Sequence, residues 1–243
     1  MKYTLHFFSI ALSLLLFLNL GCQGDQHNDQ DVPETPIVNN PENRSNRSSG
    51  NGSKKESIGE DYVNTNRVIW QKPDMIIDLL GNLEDKTVAD IGAGTGFFSL
   101  RLVPRVKKII AIDIEKRFID YLDSVKVLEL PEELQPRLDT RLVPANDPKL
   151  APDEVDVVLI VNTYMYLRNR VGYMKKIREG IAEGGQLIIV DFKKKRTSIG
   201  PPPSHERIPV FQVEEELYEA GFSDVVVNDT ALDYQYLVIA TKE

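Results

Sequence analysis

The sequence predicts an α/β fold: a doubly wound, mostly parallel, seven-stranded sheet that closes with a C-terminal antiparallel hairpin. Three observations lead to it. Short β-branched apolar runs alternate with helical stretches from about residue 61 onward. A glycine-rich turn, "GAGTG", stands between the first such run and the stretch that follows. The last two runs are joined by a connection too short for a crossover, so they can only pair antiparallel.

In chain order, "PDMIIDLLGNL" (Pro73 to Leu83) has proline where a helix tolerates it and apolar residues at helical spacing. The runs "TVADIG", "KIIAIDI", "RLVPA", "VDVVLIVN" and "GQLIIVDF" end at Gly92, Ile114, Ala145, Asn162 and Phe192 and read as strands. Helices are expected between them at Gly96 to Val103, Lys116 to Val127 and Leu167 to Glu183. Alternation of this kind requires a parallel sheet covered on both faces. After Phe192 a loop with "GPPPSH" leads to a helix in "VEEELYEAGF", then to the strands "DVVVND" and "YQYLVIATK".

Composition divides the chain into three parts. Residues 1–22 carry Lys2, an apolar run from Phe7 to Leu18 and the small-residue step Gly21-Cys22, which is the shape of a signal peptide. "LNLGC" resembles a bacterial lipoprotein signal, which implies an exported, membrane-anchored protein with lipid on Cys22; Asn19 departs from the usual leucine there. Residues 23–58 are polar and poor in large apolar side chains, the composition of a disordered tether. Residues 59–243 form the domain. The chain has 243 residues, 29 basic against 37 acidic, for a formal charge of -8, which argues against nucleic acid as a partner. Its single cysteine lies in the leader, and of its three histidines only His205 lies in the domain. A disulfide, a thiol nucleophile or a cysteine-based zinc site in the domain is therefore excluded, and no metal is expected.

The glycine turn holds the chemistry. Gly92, Gly94 and Gly96 follow a strand and open a helix, where missing Cβ atoms let the backbone approach a ligand and free N–H groups face it. A dinucleotide fingerprint needs glycine or alanine at position 97, which is Phe97. Asp90, two residues before the first glycine, suits a cationic amine, and a pyrophosphate would gain nothing from it.

"VADIGAGTGFFSL" followed by "AIDIE" resembles the S-adenosylmethionine site of the Rossmann-like methyltransferases, and the resemblance extends from "WQKPDMIIDLL" to "LDYQYLVIATK". It implies a cofactor site of Asp90, Gly92, Ala93, Gly94, Gly96, Asp113, Ile114, Asn146, Asp147 and Asn162. Asp90 would meet the cofactor's amine, Asp113 the ribose hydroxyls, and Asn146 or Asp147 the adenine. For Asp113, capping of the following helix stands as an alternative.

The resemblance also directs attention to "VNTYMYL" after the fourth strand, which faces the methyl group in that family. The bacterial subgroup with "WQKP" ahead of the glycine turn usually has Asp-x-Tyr-His here. Asn162 and Met165 replace the acid and the histidine, leaving Tyr164 and His205 as candidate catalytic residues. Trp70 reads either as part of a lid or as a packing anchor, and Asp191 either as a pocket residue or as a turn cap. The expected function is methyl transfer to a small-molecule acceptor, with a cofactor-binding module lacking catalysis as the alternative.

Overall fold

A computed structural model describes residues 66–200 and 202–243. The leader, the tether and Cys22 lie outside the described residues. The domain opens with two short helices, α1 (Arg67–Gln71) and α2 (Pro73–Asp78). Then follow β1 (Thr87–Ile91), α3 (Ser99–Leu102) with a 3-10 turn at Val103–Arg105, β2 (Lys108–Asp113) and α4 (Lys116–Leu128). Next come β3 (Leu138–Leu142), β4 (Val155–Val161), a 3-10 turn at Tyr164–Tyr166, α5 (Arg170–Gly180) and β5 (Ile181–Phe192). The chain closes with α6 (Val210–Glu219), β6 (Ser223–Asn228) and β7 (Gln235–Thr241).

The sheet order is β3-β2-β1-β4-β5-β7-β6, with β7 antiparallel to both of its neighbours and all other pairings parallel. The expected fold class is thus the observed one. Central strands are buried on both faces, which is why they read as continuous apolar runs. Their side chains alternate between two cores. Ala89, Ile110, Ile112, Val158, Ile160 and Leu187 pack on one face, and Val88, Ile109, Ala111, Val157, Leu159 and Ile188 on the other. Each such fully buried branched side chain contributes about 1.5–3 kcal/mol relative to exposure. The edge strand β6 alternates between partly buried and exposed positions, as an edge with one solvated face should.

Three boundaries differ from the sequence reading. The third strand lies at Leu138–Leu142, three residues earlier than "RLVPA", because its register is set by pairing Leu138 with Ile109 and Leu142 with Asp113. The helix expected through Glu183 stops at Gly180, where Leu150 packs so close that a Cβ would lie 2.6 Å from its side chain; the strand starts at Ile181. The helix expected from Gly96 shrinks to one turn at Ser99–Leu102 before Pro104 forces a 3-10 turn.

The strand order reverses between β1 and β4, each connected onward on opposite sides. Loops leaving the carboxyl ends of these strands diverge there and open a crevice.

Candidate cofactor and acceptor site

A cavity of about 580 Å³ occupies this crevice. Its floor is the glycine turn, Gly92 to Thr95, with Asp90 beneath it; Asp113, Ile114 and Glu115 close one side and Val161, Asn162, Thr163 and Tyr166 another. Arg67, Phe97, Phe98 and Phe118 complete the wall. β1, β2 and β4 therefore each deliver their carboxyl ends to one space.

The three glycines have different reasons. Gly92 has φ +76, and a Cβ there would lie 2.3 Å from Thr163 Oγ1, so the turn after β4 can sit against the turn after β1 only because this residue is glycine. Gly96 has φ +81 and would meet Leu122 at 2.5 Å; it is buried packing and does not line the cavity. Gly94 has φ +54 and nothing within 4 Å of its missing Cβ. It is the glycine that keeps space free for a ligand.

Asp113 organises the turn. Gly94 N–H donates to its Oδ2 and Glu115 N–H to its Oδ1, both at 2.9 Å. It thus ties the glycine turn to the start of α4, and the alternative of a purely local cap captures only half of its role. Asp90 is buried and accepts a 2.6 Å hydrogen bond from Ser99 Oγ. Burial raises its pKa from 3.8 to about 6, against the opposing effect of the Ser99 hydrogen bond and the Arg67 charge. Arg67, also largely desolvated, is lowered to about 10 and lies 4.0 Å over the Phe97 ring.

A run of amides joins Arg67 to the far wall. Arg67 Nε donates to Gln71 Oε1 (2.5 Å), Gln71 Nε2 to Gln235 Oε1 (3.0 Å), and Gln235 Nε2 to Asn162 Oδ1 (2.5 Å). Gln71 and Gln235 are fully buried. Asn162 adopts φ +56, a left-handed turn that asparagine tolerates and that places it at the rim of β4. Nothing in the local pattern of "WQKP" or "YQYL" announces these glutamines as partners; the only sequence signal was their occurrence within apolar surroundings.

Several expected site residues are elsewhere. Tyr164 is fully buried, and its hydroxyl donates to Glu216 Oε2 (2.5 Å), which Arg170 also engages at 2.6 and 2.7 Å. Burial pushes its pKa well above the tyrosine range. It is absent from the cavity lining, because the 3-10 turn rotates it under the sheet and leaves Tyr166 at the opening. The sequence-based choice of Tyr164 as catalytic is corrected accordingly. His205 is 79% exposed beside Glu206 and does not reach the cavity. Asn146 is exposed, with its carbonyl accepting from Lys176 Nζ, and Asp147 accepts from Lys149 N–H; neither lines the cavity. The shift of β3 toward the N-terminus leaves both in the loop beyond it.

Two open readings take their packing alternative. Trp70 packs tilted against Phe192, with centroids 5.6 Å apart, and is not in the lining. Asp191 is buried and accepts from Met165 N–H and Phe192 N–H, which fixes the turn after β4; burial raises its pKa to about 7. Sequence reasoning missed Arg207. This buried guanidinium donates to the carbonyls of Pro202, Lys193, Lys195, Ile199 and Gly200 and to Thr197 Oγ1, gathering the loop after β5 around one side chain.

Residues 89–187 match the family model described as "Methyltransferase domain". The chain is 25% identical over 120 residues to a tRNA U34 carboxymethyltransferase of Shewanella amazonensis, covering 49% of this chain and 35% of that protein. The chain thus spans about a third of the length of such curated relatives. A SAM-dependent methyltransferase from Aquifex aeolicus superposes with a TM-score of 0.65 at 24% identity, covering 73% of this chain and 93% of that one. A Haemonchus contortus phosphoethanolamine N-methyltransferase in complex with S-adenosyl-L-methionine does so with a TM-score of 0.59 at 13% identity, covering 71% and 52%. Residues 89–187 thus match a methyltransferase domain, and the fold is the one these solved S-adenosylmethionine-dependent methyltransferases have.

Proposed function

We propose that the chain is an S-adenosylmethionine-dependent methyltransferase acting on a small-molecule acceptor. The observation that carries this reading is the lining of the cavity: the ligand space left by Gly94, with Asp90 and Arg67 offering opposite charges and Asp113 at the end of β2. The residues fit the cofactor. Asp90 would hold its amine, Arg67 its carboxylate and Asp113 its ribose, while Phe97, Phe98 and Phe118 supply apolar wall. The bound cofactor supplies an electrophilic methyl group on a sulfonium. The protein's part is to orient the acceptor and exclude water, which by themselves provide a large share of such rate enhancements.

The acidic balance of the chain supports a small acceptor over the tRNA named for its relatives, since binding a phosphate backbone relies on clustered cations. Titration calorimetry with S-adenosylmethionine, S-adenosylhomocysteine and NAD tests the reading. Binding of the first two and not the third is expected, weakened at least tenfold in Asp113→Ala. Absence of binding by either sulfur ligand would remove it.

One observation favours a second reading, a binding module without turnover: among the described residues the β4 side of the cavity offers Asn162, Thr163 and Tyr166 but neither carboxylate nor histidine. Gain of methyl transfer in Asn162→Asp with Met165→His, at unchanged cofactor affinity, would support it. The leader also supports an exported, lipid-anchored protein. Fatty-acid labelling lost in Cys22→Ala would establish that address.

A further inference from the structure

We infer that the methyl acceptor is a carboxylate, held by the side-chain amide of Asn162; this rests on the methyltransferase reading above. The premise is the polarity of the buried amide relay. An arginine guanidinium can only donate, whereas each glutamine or asparagine has one donating and one accepting end. Because Arg67 Nε takes Gln71 Oε1, Gln71 must turn its Nε2 onward, and it meets Gln235 Oε1. Gln235 must then turn its own Nε2 onward, and it meets Asn162 Oδ1. Each step removes the freedom of the next amide to flip. Asn162 Nδ2 has no hydrogen-bond partner among the described residues, and Asn162 lines the cavity.

Position 162 is therefore a fixed donor, although asparagine in isolation can serve either way. An ammonium or protonated amine would meet two N–H groups that cannot accept from it. An oxygen acceptor meets a donor already oriented. The head of the relay is the cationic Arg67, which also lines the cavity.

The second premise is the placement of bases. Carboxylates of the lining, Asp90, Asp113 and Glu115, belong to the β1 and β2 ends. Asp191 is outside the lining with both oxygens accepting backbone N–H groups, and His205 is on the exposed surface. The β4 side thus suits a nucleophile that needs no deprotonation at attack. A carboxylate ionised at neutral pH meets both conditions. One of its oxygens accepts from Asn162 Nδ2; the other gives a lone pair to the methyl carbon as the carbon–sulfur bond breaks with its electrons passing to sulfur. The products are a methyl ester and a neutral thioether, and no proton is transferred.

The test is calorimetry on the full chain saturated with S-adenosylhomocysteine, titrated with benzoate, phenylacetate and hexanoate and with benzylamine, phenethylamine and hexylamine. The wild type should bind the carboxylates at least tenfold tighter than the amines. Gln235→Glu keeps the shape but only accepts, so Asn162 must turn Nδ2 toward it and Oδ1 toward the cavity. That variant should lose the carboxylate preference by at least tenfold and keep S-adenosylhomocysteine affinity. Asn162→Asp, which leaves the relay intact and removes the donor, should likewise lose the carboxylate preference when compared at saturating S-adenosylhomocysteine, and covers the case in which Gln235→Glu does not fold. Absence of a carboxylate preference in the wild type, or its persistence in a folded variant, overturns the inference while leaving the cofactor site standing. Failure of S-adenosylhomocysteine to bind overturns the methyltransferase reading itself.

Discussion

Replacing Asp90 by asparagine would separate what this carboxyl costs the fold from what it gives the site. Its pKa rises from 3.8 to about 6, with burial as the largest cause. At about 1.4 kcal/mol per unit, this amounts to a penalty on the order of 3 kcal/mol for keeping the ionised form inside the protein. The sign follows from proton counts. Between about pH 4 and pH 6 the folded state holds the Asp90 proton and the unfolded chain has released it. Stability therefore falls as pH rises through that window, and the penalty is complete above about pH 6. Asparagine keeps the shape and can still accept from Ser99, but it does not titrate. Relative to wild type, Asp90→Asn should thus gain on the order of 3 kcal/mol between pH 3.5 and pH 7.5. This is roughly 6–12 °C in Tm for a domain of this size. Urea unfolding followed by circular dichroism across that range measures the difference directly; Asp191 titrates in both proteins and cancels. A stability difference that stays constant from pH 3.5 to 7.5 would refute the assignment of a buried, titrating carboxyl. So would an asparagine variant that becomes relatively less stable as pH rises.

Other expectations use the same geometry. If Asp90 holds the cofactor's amine, S-adenosylhomocysteine should bind about tenfold more weakly for each pH unit below about 6, as calorimetry at stepped pH would show. Tyr164→Phe should lower stability by about 1 kcal/mol by removing the hydrogen bond to Glu216, which Arg170 still engages, with turnover unchanged because the phenol is outside the cavity. Denaturation and rate measurements on one preparation decide between this and a catalytic role. Arg207→Met should loosen the segment after β5 at a cost of about 2–3 kcal/mol from lost hydrogen bonds to a charged group, seen as rapid limited proteolysis within "KKKRTSIG". Gly94→Ala should leave the fold within about 1 kcal/mol of wild type yet weaken S-adenosylhomocysteine binding. Gly92→Ala should destabilise by about 2 kcal/mol or more, because its methyl meets Thr163. Thermal shift with and without the ligand distinguishes the two glycines.

Much of this domain was written locally. Alternation of apolar runs with helical stretches determined the strands. Burial on both faces demands continuous β-branched residues, as "KIIAID" and "VDVVLIV" supply. The glycine turn and Asp113 were legible for the same reason: the turn needs residues without Cβ at fixed offsets, and those offsets are properties of one short segment. Asp90, Gly92, Ala93, Gly94, Asp113, Ile114 and Asn162 accordingly meet at one crevice.

What the tertiary structure decided depends on partners distant in sequence. Tyr164 and Tyr166 look equivalent in "TYMY". Only the packing of the 3-10 turn against Glu216, 52 residues away, sends one under the sheet and leaves the other at the opening. The placement of Asn146 and Asp147 followed from the register of β3 on β2, which no residue of the loop itself specifies. The donor character of Asn162 is the furthest from local inspection, since it is transmitted through Gln235 and Gln71 from Arg67. Local sequence determines backbone preference and burial because both act over a few residues. The direction of a buried hydrogen bond depends on which groups the fold brings together at its two ends.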